Sequence, residues 1–354
     1  MHAVVTAGGT GGHIFPALEI AKELKNNNIE TTFVGNSNSL EEKITSQNNI
    51  NFFAIYSLSF VGKSFLGKIK TIIYLKLAII KCLLFIIKNK VSFVIGVGGY
   101  VSFPMVIAAF LLRKPCYICE QNVSPGLANK ILSFISKKIF ITFKESKKHF
   151  SNKNIIYTGN PVRKEFFNIN KKFENIENNL SILVTGGSLG AKIFNEDIPK
   201  AIDLVQRSNK DINIKITHQT GKNNYHKTIE LYEKFNIKNN LIEFITDMPK
   251  EFEKHDIIIS RAGATICCEI CAAGMPAILV PYRFANAHQK DNALSLQNNN
   301  AAIMLEESND FATALALIIT NIYKEPNVLE KMSLNAKNLA MPNAQQKIVK
   351  EVLS

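Results

Sequence analysis

MHAVVTAGGTGGHIFP, residues 1–16, decides the fold. Ala3 to Val5 is a short apolar run that reads as a buried strand. Gly8, Gly9, Gly11 and Gly12 follow, with Thr10 and His13 among them, and Pro16 opens an amphipathic helical pattern. A strand, a glycine turn and a helix start, in that order, make a nest of backbone N–H groups at a helix N-terminus. Such a nest attracts phosphate, pyrophosphate or a developing oxyanion. His13 is the only side chain in the turn able to carry a proton near pH 7. The turn is expected to be half of an active site, with the other half downstream.

Outward from this stretch the same rhythm continues. Ala17 to Leu24 carries helix periodicity after the first strand, and Thr31 to Val34 and Ile50 to Tyr56 read as further strands, a βαβ pattern that implies a parallel sheet. Val91 to Val97 is a strand closed by Gly98 and Gly99. Pro115 to Cys119 is another, ending in Glu120, Gln121 and Asn122, polar groups that need partners or a ligand. Past GNPVR at 159–163, residues 168–179 are rich in Asn and Lys, and a linker is expected close to here. Ile182 to Val184 then starts a second sheet, and Thr185 to Ala191 echoes the opening turn as TGGSLGA. Further strands are expected at Ile214 to Thr217, Leu241 to Ile245, Asp256 to Ser260 and Ala277 to Val280, and the chain's end is mostly helical. The predicted fold class is α/β, two similar halves with parallel sheets facing across a cleft and ligands at the carboxyl ends of the strands. The halves are expected over 1–163 and 164–340, with 341–354 a helix packing back on the first.

Length and composition agree with a two-domain globular chain: 354 residues, 46% hydrophobic and 20% charged. The formal net charge of +13 is unevenly placed. Between Glu42 and Glu120 there is no acidic residue, whereas Lys43, Lys63, Lys68, Lys70, Lys76, Lys81, Lys88, Lys90, Arg113 and Lys114 fall there. Nucleic acid, an anionic membrane surface, a polyphosphate substrate or plain solvated lysine all fit such a face. No RNP-like strand, zinc finger or recognition-helix signature supports nucleic acid. The apolar run Ile72 to Ile87 is interrupted by Lys76 and Lys81, too short and too charged for a spanning helix. It reads as a long helix covering the sheet. Its start, with Phe65, Leu66 and Ile69 among Lys63, Lys68 and Lys70, suits the surface of an anionic leaflet. Cys116 and Cys119, and the group Cys267, Cys268 and Cys271, are expected to be buried small hydrophobes rather than metal ligands. The chain opens directly with a strand and shows no signal peptide, so a reducing compartment is expected.

The Walker pattern fails in GGTGGH, because no lysine followed by Ser or Thr closes the loop. A dinucleotide fingerprint is weak, since Ile14 stands where a glycine is needed. His13 fits a general base that removes a hydroxyl proton as a sugar alcohol attacks an anomeric carbon. No acidic pair at a strand end suggests a metal, so backbone N–H groups at Gly187 to Gly190, with Arg163 or Arg261, would stabilise a diphosphate leaving group. Glu269, on a helix after a glycine turn, can accept both hydroxyls of a ribose, and Gln289 can meet sugar hydroxyls.

These motifs resemble the MurG family of peptidoglycan synthesis. They are GGTGGHIFPA at 8–17, GVGGYVS at 96–102, EQNVSPGLANK at 120–130, GNPVR at 159–163, GGSLGA at 186–191, HQTG at 218–221, FITDM at 244–248, SRAGA at 260–264, Glu269, and HQKDNA at 288–293. The resemblance implies an inverting GT-B glycosyltransferase moving GlcNAc from UDP-GlcNAc to the MurNAc C4 hydroxyl of undecaprenyl-pyrophosphoryl-MurNAc-pentapeptide, lipid I, to give lipid II. It implies His13 as the base. It implies donor contacts from Thr10, Gly11, Gly12, Arg163, Ser188, Ala264 and Glu269, from the Ile245 backbone to uracil, and from His288 and Gln289 near the sugar. Tyr100, Glu120, Asn122 and Asn129 would hold the acceptor, with the turn around Thr10 also near its pyrophosphate. No metal and no cofactor are implied. A peripheral place on the cytoplasmic face of the plasma (inner) membrane is implied, and other cell-wall synthesis proteins are conceivable partners. A related transferase with a soluble acceptor is the alternative. The chain departs from the family pattern at Leu189 and His288, where Gln is common, and at Ile266, often Thr.

Overall fold

In the computed structural model the described residues are 1–59, 64–151, 154–173, 176, 179–209, 212–284 and 288–354, with residues 65 and 66 described by backbone alone. Contacts divide them into two units, Met1–Val162 with Met341–Ser354, and Arg163–Ala340. The polar stretch 168–179 therefore runs inside the second unit. There the Lys171 ammonium donates to the carbonyls of Phe252, Glu253 and His255.

The first unit contains β1 (His2–Thr6), α1 (Gly11–Asn26), β2 (Glu30–Asn36), α2 (Leu40–Gln47), β3 (Asn51–Ile55), α3 (Phe65–Lys88), β4 (Phe93–Gly96), α4 (Ser102–Leu111), β5 (Cys116–Glu120), α5 (Leu127–Leu132), β6 (Lys138–Ile141) and β7 (Ile155–Tyr157). The second contains α6 (Lys164–Phe167), β8 (Asn179–Thr185), α7 (Lys192–Ser208), β9 (Asn213–Gln219), α8 (Tyr225–Lys234), β10 (Asn239–Ile242), α9 (Met248–Lys254), β11 (Ile257–Ser260), α10 (Ala264–Ala273), β12 (Ala277–Leu279), α11 (His288–Gln297), β13 (Ile303–Met304), α12 (Phe311–Lys324) and α13 (Asn327–Leu339). The chain ends in α14 (Ala344–Leu353), which belongs to the first unit.

Both sheets are parallel, ordered β3-β2-β1-β4-β5-β6-β7 and β10-β9-β8-β11-β12-β13. In each, the first strand of the unit's sheet lies inside it and the order reverses there, the topology of a Rossmann-like layer. Loops leaving the two strands at such a reversal part to opposite faces and open a crevice for ligands. In the first unit those strands are β1 and β4; in the second, β8 and β11.

Strand periodicity builds the cores. Ala3 and Val5 point into one cluster with Ile14, Leu18 and Ile20 of α1 and Ile348, Val349 and Val352 of α14, while Val4 points into the other with Ala108 and Ala109 of α4. The Tyr117 hydroxyl donates to the Val352 carbonyl, and Lys138 pairs with Glu351 at 3.0 Å, fastening the chain's end to β5 and β6. The same periodicity disposes of the CxxC at 116–119. Positions i and i+3 of a strand face opposite ways, so Cys116 lies in one core cluster and Cys119 in the other.

The strand expected at 241–245 lies further upstream, over Asn239–Ile242. Its ladder with β9 ends where Ile242 meets Gln219. Beyond that point the Gln219 side chain takes over, its Oε1 accepting the Ile245 N–H at 2.8 Å. Among the described residues no helix is long and apolar enough to cross a membrane. On α3, Ala78, Cys82 and Ile86 are buried, while Ile69, Ile72, Ile73, Leu77, Ile80, Leu84 and Ile87 are exposed.

Candidate functional site

In the first unit the β1 and β4 loops touch through their backbones. A Cβ on Gly99 would run into the Gly8 carbonyl, and Gly99 has φ +77°, so both space and conformation call for glycine. Above this contact α1 begins at Gly11. Thr10 caps it without a side-chain cap bond, so first-turn N–H groups of α1 are not covered by that hydroxyl. His13 stands in this first turn, its Nδ1 3.5 Å from Thr10 Oγ1. On its other side lie Gly98 and Gln121. Desolvation lowers the His13 pKa to about 4, against a hydrogen bond with the Gly8 backbone that raises it. At neutral pH the ring is uncharged, with one nitrogen a donor and the other an acceptor.

The loop after β5 is organised by Glu120, which is buried. Its Oε1 accepts from the Asn122 N–H at 2.9 Å and Asn122 Nδ2 at 3.2 Å. Its Oε2 accepts from Asn129 Nδ2 at 2.8 Å and the Gly126 N–H at 3.3 Å. Desolvation raises its pKa, and those four donors pull it back down. With both oxygens so occupied, Glu120 shapes the loop that presents Asn122. Tyr100 borders the glycine turn, its ring 3.4 Å from where a Gly9 Cβ would be. Thr10, Gly11 and Gly12 thus lie in the same unit as Tyr100, Glu120, Asn122 and Asn129.

In the second unit Arg163, Ser188, Ile245, Ala264, Glu269, His288 and Gln289 all come from α6 or from loops and helix starts that follow the carboxyl ends of parallel strands. The β8 and β9 loops interlock as β1 and β4 do. A Cβ on Gly190 would strike the Thr220 carbonyl, one on Gly221 the Leu189 carbonyl, and both residues have positive φ. The Gly190 N–H donates back to the Gly187 carbonyl at 2.9 Å, which leaves Ser188 and Leu189 at an exposed tip. Leu189 is 82% exposed, so the departure at this position puts an apolar group on the open loop. α10 starts at Ala264 after Gly263, with no side-chain cap on its first turn. Its second turn carries Glu269, whose Oε1 is 3.7 Å from Arg163 Nη2. Burial raises the Glu269 pKa to about 7, against the nearby charge and hydrogen bond of Arg163. Arg261 is committed elsewhere: it pairs with Glu307 at 2.5 Å and donates to the Val280 carbonyl. Gln289 Oε1 accepts the Tyr282 N–H at 2.9 Å, in the first turn of α11.

Two residues outside the candidate set organise these loops. Gln219 donates through Nε2 to the Gly187 carbonyl at 2.7 Å and to Thr185 Oγ1 at 3.3 Å, while its Oε1 holds Ile245, so one buried amide joins the two loops. Gln121 follows the end of β5 in the first unit. Both sit in polar runs that close strands, which was the available signal. Lys63 and the side chains of Phe65 and Leu66, expected at a membrane-facing tip, lie outside the described residues.

The family models that match are the Glycosyltransferase family 28 N-terminal domain, over residues 3–141, and its C-terminal domain, over 181–348. Among curated relatives, the UDP-N-acetylglucosamine–N-acetylmuramyl-(pentapeptide) pyrophosphoryl-undecaprenol N-acetylglucosamine transferase of Bacillus pumilus is 36% identical, covering 97% of this chain and 96% of its own. The protein of that name from Francisella tularensis subsp. holarctica is 39% identical, over 99% and 97%. Of solved structures, Acinetobacter baumannii MurG superposes with a TM-score of 0.80 at 31% identity, covering 99% of both chains. The UDP-GlcNAc 2-epimerase of Neisseria meningitidis shares the fold, with a TM-score of 0.69 at 18% identity over 100% of each chain.

Proposed function

The chain belongs to the family of UDP-N-acetylglucosamine–N-acetylmuramyl-(pentapeptide) pyrophosphoryl-undecaprenol N-acetylglucosamine transferases, of GT-B-like fold, and we propose that His13 is the base of their reaction and Glu269 the carboxylate that holds the donor ribose. The chain transfers N-acetylglucosamine from UDP-N-acetylglucosamine to lipid I and forms lipid II.

One observation carries the assignment of the base: an uncharged imidazole in the first turn of α1, at the strand reversal of the first sheet. As the MurNAc C4 oxygen attacks the anomeric carbon, its proton passes to His13. The bond from that carbon to the diphosphate breaks with inversion, and the electron pair leaves with UDP. An imidazole of pKa about 4 is a weak base in the free protein. The pyrophosphate of lipid I, arriving beside Thr10 and the first-turn N–H groups of α1, brings negative charge that raises its basicity. Asn122, Asn129 and Tyr100 support the acceptor around this turn, and Glu120 holds their loop.

On the donor side, the N–H groups of Ser188 and Leu189, the Ser188 hydroxyl, the start of α10 at Ala264 and Arg163 serve the diphosphate, the Gly187 and Gly190 N–H groups being spent inside the loop. Ile245 meets uracil through its backbone, and His288 and Gln289 meet the sugar. Because the Ile245 N–H is held by Gln219, its carbonyl is the group offered to the uracil N3–H.

The exposed apolar stripe of α3, with Lys68, Lys70, Lys76, Lys81 and Lys88 on the same helix, supports peripheral docking on an anionic leaflet at the cytoplasmic face of the plasma membrane. Phe110, Phe134, Arg113, Lys114 and Lys137 line a depression in the same unit that repeats this pairing of apolar and cationic groups. The test is transfer of labelled N-acetylglucosamine to lipid I in vesicles, beside a lipid-free MurNAc-pentapeptide acceptor. Label in the lipid fraction is expected. Equal transfer to the soluble acceptor would overturn the membrane assignment.

A further inference from the structure

Gln121 is 2% exposed and follows β5 directly. Its Nε2 donates to the Val97 carbonyl at 2.9 Å and, more weakly, to the Cys119 carbonyl at 3.4 Å. Those two acceptors fix which end of the amide is nitrogen. They also leave Oε1 buried with no donor among the described residues. A buried acceptor without a donor is costly and calls for an explanation.

The explanation lies across Gly98. A Cβ on that residue would be 2.6 Å from His13 Cδ2, 3.0 Å from His13 Nε2 and 3.1 Å from Gln121 Oε1. The imidazole nitrogen and the orphaned oxygen therefore flank one small space, kept open by a glycine with φ +104°. The other ring nitrogen, Nδ1, faces the exposed Thr10 hydroxyl.

We propose that Gln121 is a positioning residue for the transfer: the two groups face one another without a hydrogen bond in this structure, and a small side-chain rotation lets Gln121 Oε1 accept the Nε2–H of His13, beside the ring's hydrogen bond with the Gly8 backbone, which sets the tautomer and turns the Nδ1 lone pair toward the acceptor alcohol. This rests on His13 being the base. During the reaction Nδ1 takes the C4 hydroxyl proton, the new C–O bond forms as the bond to UDP breaks, and the resulting imidazolium keeps its Nε2–H on Gln121. A desolvated imidazolium needs such an acceptor, because burial alone disfavours its charge. The role matches that of groups which orient catalytic or metal-binding histidines through the second ring nitrogen, here with a neutral amide. Other groups around the turn are the Gly8 carbonyl, the Tyr100 ring, Glu41 of α2 beside Gly8, and Glu120. Glu41 Oε1 already accepts the Asn36 N–H, and the Glu120 oxygens are taken by Asn122, Gly126 and Asn129.

The experiment compares wild type, Gln121→Met and Gln121→Glu in steady-state kinetics and in 15N NMR of labelled histidine. For wild type, His13 is expected as the Nε2–H tautomer. For Gln121→Met, kcat is expected to fall roughly 10–100-fold with donor KM changed less than about twofold, and the His13 tautomers to mix. Gln121→Glu is expected to move the His13 titration, and the acid limb of kcat/KM, upward by more than about one pH unit. A purely structural role would lower Tm and leave both His13 signals in place. Unchanged kcat in Gln121→Met, or an unshifted His13 titration in Gln121→Glu, overturns the proposal. If Gln121→Met does not fold, the titration of Gln121→Glu decides. Full turnover in His13→Ala would instead remove the base assignment itself, a result distinct from either.

Discussion

The turns at 8–13 and 186–191 are built alike and carry opposite chemistry. Each follows a strand that lies inside its sheet, and each is locked to a neighbouring loop by a backbone contact only glycine permits: Gly8 with Gly99, and Gly190 with Thr220 and Gly221. The first turn runs at once into α1 and places an imidazole in its opening helical turn. The second reaches α7 through Ala191 and carries no ionisable side chain, while Glu269, the ionisable residue of the proposed donor site, comes from a different helix. Burial acts on both groups and drives each toward its neutral form, His13 downward to about 4 and Glu269 upward to about 7. For a base that is the competent state at pH 7. For the carboxylate proposed to accept two ribose hydroxyls it is not, and the neighbouring Arg163 acts against burial, lowering the Glu269 pKa. On the proposed reading, a shared backbone cradle serves a ligand phosphate in each unit, and the side chains around it set the chemistry.

The contrast is broken most severely by filling a cradle. In Gly190→Val, a side chain driven against the Thr220 carbonyl at positive φ adds about 2–3 kcal/mol of strain and should weaken UDP binding roughly hundredfold by calorimetry. The matching Gly99→Val should spare UDP affinity and abolish acceptor turnover. Equal loss of UDP affinity in both would erase the division between the loops.

Glu269→Gln should raise the UDP Kd by roughly 10–100-fold, the scale of hydrogen bonds to a charged acceptor. In wild type, UDP affinity should strengthen as pH rises from 6 to 8, because the carboxylate forms through about pH 7, and the variant should show no such rise. On α3, Leu77→Glu with Leu84→Glu removes two exposed side chains from the stripe and should lower binding to anionic vesicles roughly tenfold in a sedimentation assay, with Tm little changed.

The smallest effect concerns stability. The folded-state pKa of Glu269 lies above its ordinary value of 4.5, so the folded protein binds that proton more tightly than the unfolded chain does. Its contribution is full below about pH 4.5 and is lost as pH rises through about 7, a change of at most about 3 kcal/mol. Glu269→Gln should therefore raise Tm by a few degrees at pH 8 and hardly at all at pH 5. A Tm gain of the same size at both values would show that the carboxylate is not desolvated.

Much of this was legible in the sequence because it rests on local rules. The apolar run Ala3 to Val5 read as a buried strand, and the glycine clusters at strand ends marked loops suited to a ligand anion. The apolar run with Lys76 and Lys81 was readable as a helix with one buried face. What escaped was side-chain hydrogen bonding across loops. Nothing in the pattern of 241–245 says that an amide 26 positions upstream would end the strand by capturing the Ile245 N–H. Nor does it say that the Glu120 oxygens would be spent on Asn122, Gly126 and Asn129. Arg163 and Glu269 are separated by four strands of chain, and their pairing belongs to the tertiary fold alone. The polar run at 168–179 looked like a linker by composition, but Lys171 ties it to the end of α9.

The most direct test of the account is a rapid-quench single turnover at saturating donor and acceptor, in wild type and His13→Ala, with UDP affinity measured on the same preparations. The predicted result is a rate lower by roughly 10²–10⁴, the usual contribution of a positioned base, with UDP affinity unchanged. Equal rates in the two proteins would contradict it.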